Sequence, residues 1–398
     1  MRLSEVVATG TKRSGCSFAV EVVPILLTIA ACASRLYRLN HPETPVYDET
    51  HVGRFLGWYH DRAFFFDVHG PLAKLSIYWI AVKLGFEGRM SCPYESLPHN
   101  ALCDLLPQRL LPALCGAALV PLTYMTCIRM QLRPSAAVLA AWFVLTDNHL
   151  IGMARIHLND AVQLLLISLT HYFALGACAA PLLMPASLLS WTRLVKELVS
   201  AGSCLGLALQ SKYAMALTTL GWLGLQNLWV LIAHVAQHRG LRAAGLQAAV
   251  RIVLLLGIPG LWHVSLLWLH LAHLPRSGNG DSYMSVEFQA SLDGSRYAQF
   301  MPAETRPSFW DRLVEHVTAQ FWYNRNMAVL FPRGSHAFDT VWCAHTTHHS
   351  IAPPHRCRQH CSAILRTSLP ALRLGVGTRG RSRPAGSTLV SCATGAIL

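Results

Sequence analysis

Two adjacent carboxylates, Asp48 and Glu49, lie in the stretch PVYDETHVGRF (45–55), directly after an apolar run long enough to span a membrane. Neighbouring residues point in different directions on any regular element, so these two side chains are not expected to share a proton. One carboxylate could act as a general base in a polar pocket while the other orients the loop. The alternative is that both are solvated charges with a structural role.

A second polar group, Asp67 and His69, lies in FFFDVHGPLAKL (64–75). Three consecutive Phe residues before a Gly-Pro step are typical of an interfacial anchor that leads into an amphipathic helix along the membrane surface, here through 75–86. Asp67 would lie at or near the start of this helix, where a carboxylate can cap the N-terminus. The same carboxylate could instead support chemistry at the membrane surface.

Three cations are placed close to apolar runs. Arg109 is followed by nineteen residues without a charge, and such an Arg usually extends its side chain to lipid headgroups. Lys212 lies between two apolar stretches with little loop around it, so it needs an anionic partner or a water-filled cavity. Arg155 could pair with Asp160 across a helical turn.

These cations and carboxylates together indicate one kind of chemistry. A phosphate leaves as a stable anion that cations stabilise, whereas an attacking hydroxyl needs a base within hydrogen-bond reach. Arg109, Arg155 and Lys212 could hold a phosphate, and Asp48 and Glu49 could supply the base. The residues therefore favour a transfer reaction from a phosphate-linked donor, such as a lipid-linked sugar with its phosphate at headgroup depth.

The composition is that of a membrane protein. The 398 residues are 53% hydrophobic and only 13% charged, with a mean hydropathy of +0.34, whereas soluble domains carry about 25% charged residues. The net charge of +13 comes largely from the basic end of the chain and forms no clustered basic face. We therefore expect no nucleic-acid partner.

Seven apolar stretches predict membrane-spanning helices. They lie near 20–36, 110–128, 134–151, 161–180, 198–210, 213–233 and 252–272, and the fifth could begin near Leu188. With the N-terminus in the cytosol, alternate connections are short and basic, and the opposite ones hold most of the acidic groups. This pattern places all the candidate residues on one non-cytosolic face. The first run lacks a cleavage site and is expected to stay as a signal anchor.

The sequence divides into four segments: a cytosolic N-terminus (1–17), a membrane domain (18–275), a luminal segment (276–342) and an atypical basic tail (343–398). The tail is rich in Arg, Gly, Pro and Ser and is predicted to be disordered. Its His and Cys residues fit no standard zinc spacing, so we expect no metal site there. Cys92 and Cys103 could form a disulfide if their loop faces an oxidising lumen.

Five stretches, in order along the chain, closely resemble the protein O-mannosyltransferases. The first, RLYRLNHPETPVYDETHVGRFLGWYHDRAFFFDVHGPLAKL, is similar to the first luminal loop of that family, with its Asp-Glu pair and its Phe-Phe-Asp-Val-His run. The fifth, SGNGDSYMSVEFQASLDG, resembles the Pmt2-type subfamily. The other three are QRLLPALCGAALVPLTY, DNHLIGMARIHLNDAVQLLL and SCLGLALQSKYA.

The resemblance implies an all-α, multi-pass glycosyltransferase of the GT-C type in the endoplasmic reticulum membrane, with interfacial amphipathic helices in a luminal loop. Such enzymes transfer mannose from dolichyl phosphate mannose to Ser or Thr hydroxyls of secretory proteins and invert the anomeric centre. The resemblance also implies no metal, no cofactor besides the lipid-linked donor, and a dimer of two different paralogues.

The same resemblance distributes roles over the candidate residues. It implies an acceptor-activating carboxylate at the Asp48–Glu49 pair, support from Asp67 and His69, donor-phosphate binding by Arg109 and Lys212 with Arg155, and a structural or assembly role for Arg35.

The sequence departs from the family pattern in three places. The family's Pro-Pro-Leu-Gly-Lys run reads Gly70-Pro71-Leu72-Ala73-Lys74 here, which we expect to loosen one rigid position. The luminal MIR module and the last four spans of the family are lacking, so the chain is expected to be truncated. The 309–342 segment resembles the one that normally follows the MIR module, and we hypothesise that 343–398 is a mistranslated or misspliced end.

Three other functions are alternatives to an active mannosyltransferase. The chain could be a non-catalytic membrane subunit that assembles with an active partner, or a GT-C transferase that uses another polyprenyl-phosphate sugar. A transporter is disfavoured because the two halves show no inverted repeat and the polar groups lie at one face.

Overall fold

The computed structural model describes residues 14–46, 48–88, 105–183, 188–236 and 241–330. By its contacts the chain divides into two units, residues 1–325 and 326–398, and the contacts reported below lie within the first. The Cys92–Cys103 loop and the basic tail lie outside the described residues, so the predictions made for them, and for the domain boundaries there, stay predictions.

The described part of the chain is mostly helical. The first half holds α1 (Ser14–Leu36), α2 (Glu49–Asp61), α3 (Leu72–Lys83), α4 (Leu106–Arg129), α5 (Pro134–Thr146), α6 (Asn148–Ala154) and α7 (Asn159–Leu183). The second half holds α8 (Leu188–Leu209), α9 (Tyr213–Ala236), α10 (Leu241–Ile252), α11 (Ile258–His273), α12 (Val286–Ala290) and α13 (Phe309–Leu330). A π-helical segment, Val253–Gly257, joins α10 to α11.

All seven predicted apolar stretches lie in helices, but fewer qualify as spans by length and composition alone. Four do so among the described residues: α4, α7, α9 and the continuous stretch Ala244–His273. A fifth is possible if α5 and α6, which are bent by 58°, form one span. The break occurs at Asp147, whose carboxylate accepts a hydrogen bond from the backbone N–H of Leu150 and caps α6.

Two predicted spans fall short for identifiable reasons. The α8 helix begins at Leu188, the earlier of the two predicted starts, but carries Arg193, Lys196 and Glu197. In α1 the apolar part is the shorter stretch Val22–Leu36. The multi-pass α-helical class is confirmed, whereas length and apolarity support four or five spans where seven were predicted.

A small sheet departs from the all-α prediction. Strand β1 (Ala63–Phe65) pairs in parallel with β2 (Arg276–Gly280), which ties the segment after α2 to the segment after α11. Phe64, Phe65 and Phe66 are buried in a core with side chains of α3, α11 and α12. The prediction that these three rings form an interfacial anchor is therefore wrong, because strand pairing turns them into the protein.

The predicted interfacial helix is present as α3, which starts at Leu72, three residues earlier than expected. It buries Lys74, Leu75 and Ile77 against the protein and exposes Trp79 and Val82. Its orientation relative to a membrane stays a prediction. Around it the apolar helices form a bundle in which α4 packs against α1, α5 and α7, and α8 packs against α7 and α11.

Candidate active site

The carboxylate of Glu49 is fully buried at the first residue of α2. Its Oε1 accepts hydrogen bonds from Nε of Arg109 at 2.8 Å and from the backbone N–H of His157 at 3.0 Å. Its Oε2 accepts from Nη2 of Arg109 at 2.6 Å and from the backbone N–H of Val46 at 2.9 Å. A carboxylate offers about four acceptor positions, so all of them are filled.

The guanidinium of Arg109 is equally occupied and also fully buried. Besides its two bonds to Glu49, it donates from Nη1 to the carbonyl oxygens of Leu39 and Pro42 and from Nη2 to that of Thr44, at 2.8–3.3 Å. An arginine has five N–H donors, and here all five bind protein. Arg109 therefore holds the segment between α1 and α2 in place.

This pairing bears directly on what both side chains can bind. Burial alone would raise the pKa of Glu49, but the hydrogen bonds from Arg109 and His157 outweigh it and lower this pKa to about 2. A general base works best with a pKa near the working pH, and Glu49 has no free acceptor position. Arg109 likewise has no N–H left for a phosphate. In this structure both side chains are fully engaged with other groups of the protein, and the roles suggested for them in the reaction stay predictions.

Asp48 differs sharply from its neighbour. It occupies the N-cap position of α2, its side chain makes no capping hydrogen bond, and it is exposed. The expectation that the two carboxylates point in different directions is confirmed, since one is buried in an ion pair and the other faces outward. Of the two carboxylates, Asp48 is the one that is open to solvent.

Asp67 does not cap a helix, because α3 begins five residues later, after Pro71. Its carboxylate instead accepts a hydrogen bond from the ammonium of Lys74, which is buried and also donates to the carbonyl oxygen of His69 at 3.3 Å. Burial alone would raise the pKa of Asp67, but the charge of Lys74 outweighs it and holds this pKa below its ordinary value. Burial lowers the pKa of His69.

Lys212 has the anionic partner that its apolar surroundings require. Its ammonium lies 2.6 Å from the carboxylate of Asp160, and both side chains are about a quarter exposed. The side chain of Gln163 holds the Lys212 backbone by two hydrogen bonds of 3.1 Å. Its amide oxygen accepts from the N–H of Lys212, and its amide nitrogen donates to the carbonyl of Lys212. Lys212 is thus a cation that is held in place and still reachable by a ligand.

Arg155 does not pair with Asp160, so that alternative is wrong. Its guanidinium donates to the carbonyl oxygens of Arg35, Tyr37 and Arg38 at 2.6–3.2 Å and is half-buried. The buried Arg35 donates to the carbonyl oxygens of Val144 and Leu145, which joins α1 to α5 and agrees with a structural role.

The loop between β1 and α3 rests on the turn between α8 and α9. The backbone N–H of Leu72 donates to the carbonyl of Gln210 at 2.9 Å, and a Cβ at Gly70 would lie 2.4 Å from that same oxygen. Glycine at position 70 therefore permits a close backbone approach. The expectation of a loosened position is wrong in this respect, because the missing side chain lets the loop pack tightly.

The α13 helix closes the other side of this loop. Gln320 is buried, accepts a hydrogen bond from the hydroxyl of Tyr213 at 2.7 Å, and donates to the carbonyls of Asp67 and His69. Asn324 donates to the carbonyl of Val68 at 2.8 Å. A helix that lies far along the chain thus fixes the polar loop.

Two connections lead from the Asp48–Glu49 region, one to Lys212 and one to the Asp67–Lys74 region. The segment 155–160 supplies His157 to Glu49 and Asp160 to Lys212. In addition, the ammonium of Lys74 lies 5.3 Å from the ring centroid of Phe55. Phe55 is seven residues after Asp48 on the same face of α2, about 10 Å along the helix. The polar groups are therefore linked to α2 through the segment 155–160 and through Phe55.

Sequence reasoning missed three residues of this arrangement. Lys74 and His157 lie within stretches that we quoted for the resemblance, but neither was assigned a role. Gln320 had no local signal, because a glutamine in an amphipathic helix does not reveal which loop it binds. Only the fold brings α13 against the loop at Asp67.

Comparison with known proteins identifies the family. The model of the family "Dolichyl-phosphate-mannose-protein mannosyltransferase" matches residues 25–275. Dolichyl-phosphate-mannose–protein mannosyltransferase 4 of Candida albicans is 30% identical over 272 residues, which cover 67% of this chain and 35% of that protein. Protein O-mannosyl-transferase 1 of Mus musculus is 30% identical over 285 residues, which cover 70% of this chain and 37% of that protein.

A solved structure has the same fold. It is the S. cerevisiae protein O-mannosyltransferase Pmt1-Pmt2 complex bound to the sugar donor, with a TM-score of 0.62 and 27% identity over 70% of this chain and 37% of that one. The chain spans about a third of the length of the curated relatives it matches. The buried Glu49–Arg109 pair and the Lys212–Asp160 pair both lie within the matched residues. The chain belongs to the dolichyl-phosphate-mannose–protein mannosyltransferase family.

Proposed function

We propose that this protein transfers mannose from dolichyl phosphate mannose to Ser or Thr hydroxyls of secretory-pathway proteins. The reaction takes place at the luminal face of the endoplasmic reticulum membrane and inverts the anomeric centre. Family membership and the names of the relatives support the activity. One observation carries the mechanism: Asp48 is exposed beside a Glu49 that is fully occupied by Arg109.

In the proposed step, the oxygen of the acceptor hydroxyl forms a bond to the anomeric carbon of mannose. The bond between that carbon and the phosphate oxygen breaks, and the phosphate leaves with the electron pair. Asp48 accepts the hydroxyl proton as the general base. Because the phosphate is already a stable anion, no general acid is needed, and nearby cations stabilise its charge.

Lys212 is the strongest candidate for binding the donor phosphate. Its ammonium is partly exposed and already oriented by Asp160 and Gln163. Arg155 is the second candidate, since it is half-buried and lies beside the loop that Arg109 organises. We propose that Arg109 and Glu49 position this loop, and that Lys74 and Asp67 with His69 position the α8–α9 turn that carries Lys212.

We propose further that the reaction uses no metal and no cofactor besides the lipid-linked donor, because the side-chain cations supply the positive charge. A dimer with a paralogous mannosyltransferase is also proposed. Its support is that the solved relative is a complex of two such proteins. The Pmt2-type subfamily assignment stays a prediction.

A transfer assay tests the proposal directly. Membranes that carry this chain, alone and together with a paralogue, are given dolichyl phosphate mannose and a Ser/Thr-rich peptide, and mannosylated peptide is measured. We expect transfer in at least one setting, and its loss in Asp48→Asn. Absence of transfer in both settings would contradict the proposal and favour a non-catalytic subunit.

A further inference from the structure

A cleft lies at the other end of the helices from the candidate active site. It encloses about 660 Å³ between α1, α4, α7 and α8. Arg129, the last residue of α4, lines it, whereas Arg109 lies near the first residue of the same helix. Twenty residues at 1.5 Å each place these two about 30 Å apart, which is the thickness of the hydrocarbon core. In a helix that crosses the membrane, this separation places the cleft at the headgroup depth of the leaflet opposite to Arg109.

Positive charge dominates this cleft. Arg129, Arg193 and Lys196 line it together with one carboxylate, Glu197, so the lining carries two more positive charges than negative. Arg129 is engaged, because it binds Glu197 and lies 4.3 Å from the ring centroid of Tyr172. Arg193 and Lys196 are exposed and form no ion pair with any residue that the structure describes. Two cations are thus available to an anion.

The remaining walls suit a ligand that is both charged and apolar. Ile128, Met125 and Phe173 line the cleft beside the cations. One oxygen of Glu197, Oε2, is buried without a hydrogen-bond partner in the described part of the chain. A headgroup with hydroxyls could donate to this oxygen while its phosphate binds the cations, and acyl chains could cover the apolar wall.

We propose that this cleft binds an anionic phospholipid with a hydroxyl-bearing headgroup, such as phosphatidylinositol. Basic clefts between membrane helices on the cytosolic side bind phosphorylated headgroups in this way. The basic connections of the sequence independently predict that this end of the bundle faces the cytosol. A soluble anion is expected to bind more weakly than a lipid, because it would leave the apolar wall in contact with water.

The experiment reconstitutes the full chain in phosphatidylcholine nanodiscs that contain a minor fraction of phosphatidylinositol. Native mass spectrometry then counts the phosphatidylinositol molecules that stay bound to the protein after the protein is released from the nanodisc. We expect the Arg193→Gln, Lys196→Gln double variant to retain it about tenfold less, since each cation near a headgroup contributes on the order of a fewfold in affinity. The swapped variant Arg193→Lys, Lys196→Arg keeps both charges and should retain the lipid.

A matched control separates the cleft from general surface charge. Arg133 and Arg242 are exposed cations of the same face that do not line the cleft. We expect Arg133→Gln, Arg242→Gln to leave retention unchanged. Equal loss in this control, or no loss in the cleft variant, would overturn the proposal. Displacement of the lipid by excess inorganic phosphate would overturn it too, because the site would then recognise a soluble anion.

Discussion

Arg109 and Glu49 form an ion pair in which both side chains are fully buried and the closest N–O distance is 2.6 Å. All five guanidinium N–H groups bind Glu49 or the carbonyls of residues 39–44, so this pair fixes the path of the chain from α1 into α2. The exposed Asp48 lies one residue before the pair. The buried pair thereby sets the position of the proposed base.

Removing either member of this pair should strongly destabilise the protein. Breaking a buried ion pair from one side leaves an uncompensated charge, which costs about 3–5 kcal/mol. We therefore expect Glu49→Gln and Arg109→Met each to lower the free energy of unfolding in detergent by that amount. Glu87→Gln, at an exposed position near the end of α3, is the control and should change it little. A Glu49→Gln protein as stable as this control would contradict the structural role.

The close approach at Gly70 gives a second prediction. A Cβ there would lie 2.4 Å from the carbonyl oxygen of Gln210, which is a backbone atom and cannot move away easily. We expect Gly70→Ala to destabilise the protein by about 1–3 kcal/mol and to weaken transfer by shifting Lys212. The control Gly221→Ala lies in α9 with open space around its Cβ, so it should be neutral or slightly stabilising. Thermal unfolding of both variants checks this.

His316 predicts a pH dependence of stability. It is buried against Phe64 and Phe66, and burial together with the charge of Lys74 lowers its pKa from 6.5 to about 4. Between these two pH values the unfolded chain binds a proton that the folded chain excludes, so stability falls as the pH drops from 6.5 to about 4. We expect the free energy of unfolding of His316→Gln to depend less on pH between 6.5 and about 4. His149 is exposed, and His149→Gln should leave this pH dependence unchanged. If His316→Gln also leaves it unchanged, the attribution of the pH dependence to His316 is contradicted.

Gln320 should position the loop without taking part in the chemistry. The Gln320→Met variant keeps the size of the side chain but removes the bonds to Tyr213 and to the carbonyls of Asp67 and His69. We expect transfer to fall about tenfold, equivalent to about 1.4 kcal/mol, with the chain still folded. Tyr213→Phe combined with Gln320→Met should cost less than the sum of the two single changes, because both remove the same hydrogen bond. Additive losses would show that the two residues act separately.

Much of this fold could be predicted from hydropathy, because apolar length and turn position are local properties. The seven apolar stretches all became helices, and the break at Asp147 coincided with the polar pair Asp147–Asn148. The burial of Phe64 and Phe65 could not be predicted in this way. It depends on β1 pairing with β2, which lies more than two hundred residues further along the chain.

The candidate residues could be named from the sequence, but their contacts could not. Glu49 is linked to the Lys212–Asp160 pair through the segment 155–160, and Lys74 links Asp67 to Phe55 of α2. Whether a carboxylate is free or paired depends on tertiary contacts, and the sequence does not show that Arg109 reaches Glu49 across sixty residues. Lys74, His157 and Gln320 required the fold for the same reason.

We propose that Asp48 acts in the reaction while Glu49 stabilises the fold. The most direct test measures mannosyl transfer and thermal unfolding together for Asp48→Asn, Glu49→Gln and the exposed control Asp61→Asn, which lies at the other end of α2. We predict that Asp48→Asn unfolds like the unmodified protein but transfers at least a hundredfold less mannose, on the order expected for a lost general base. Glu49→Gln should be less stable, and Asp61→Asn should keep both its stability and its mannosyl transfer. Near-normal transfer by a folded Asp48→Asn protein would contradict the account.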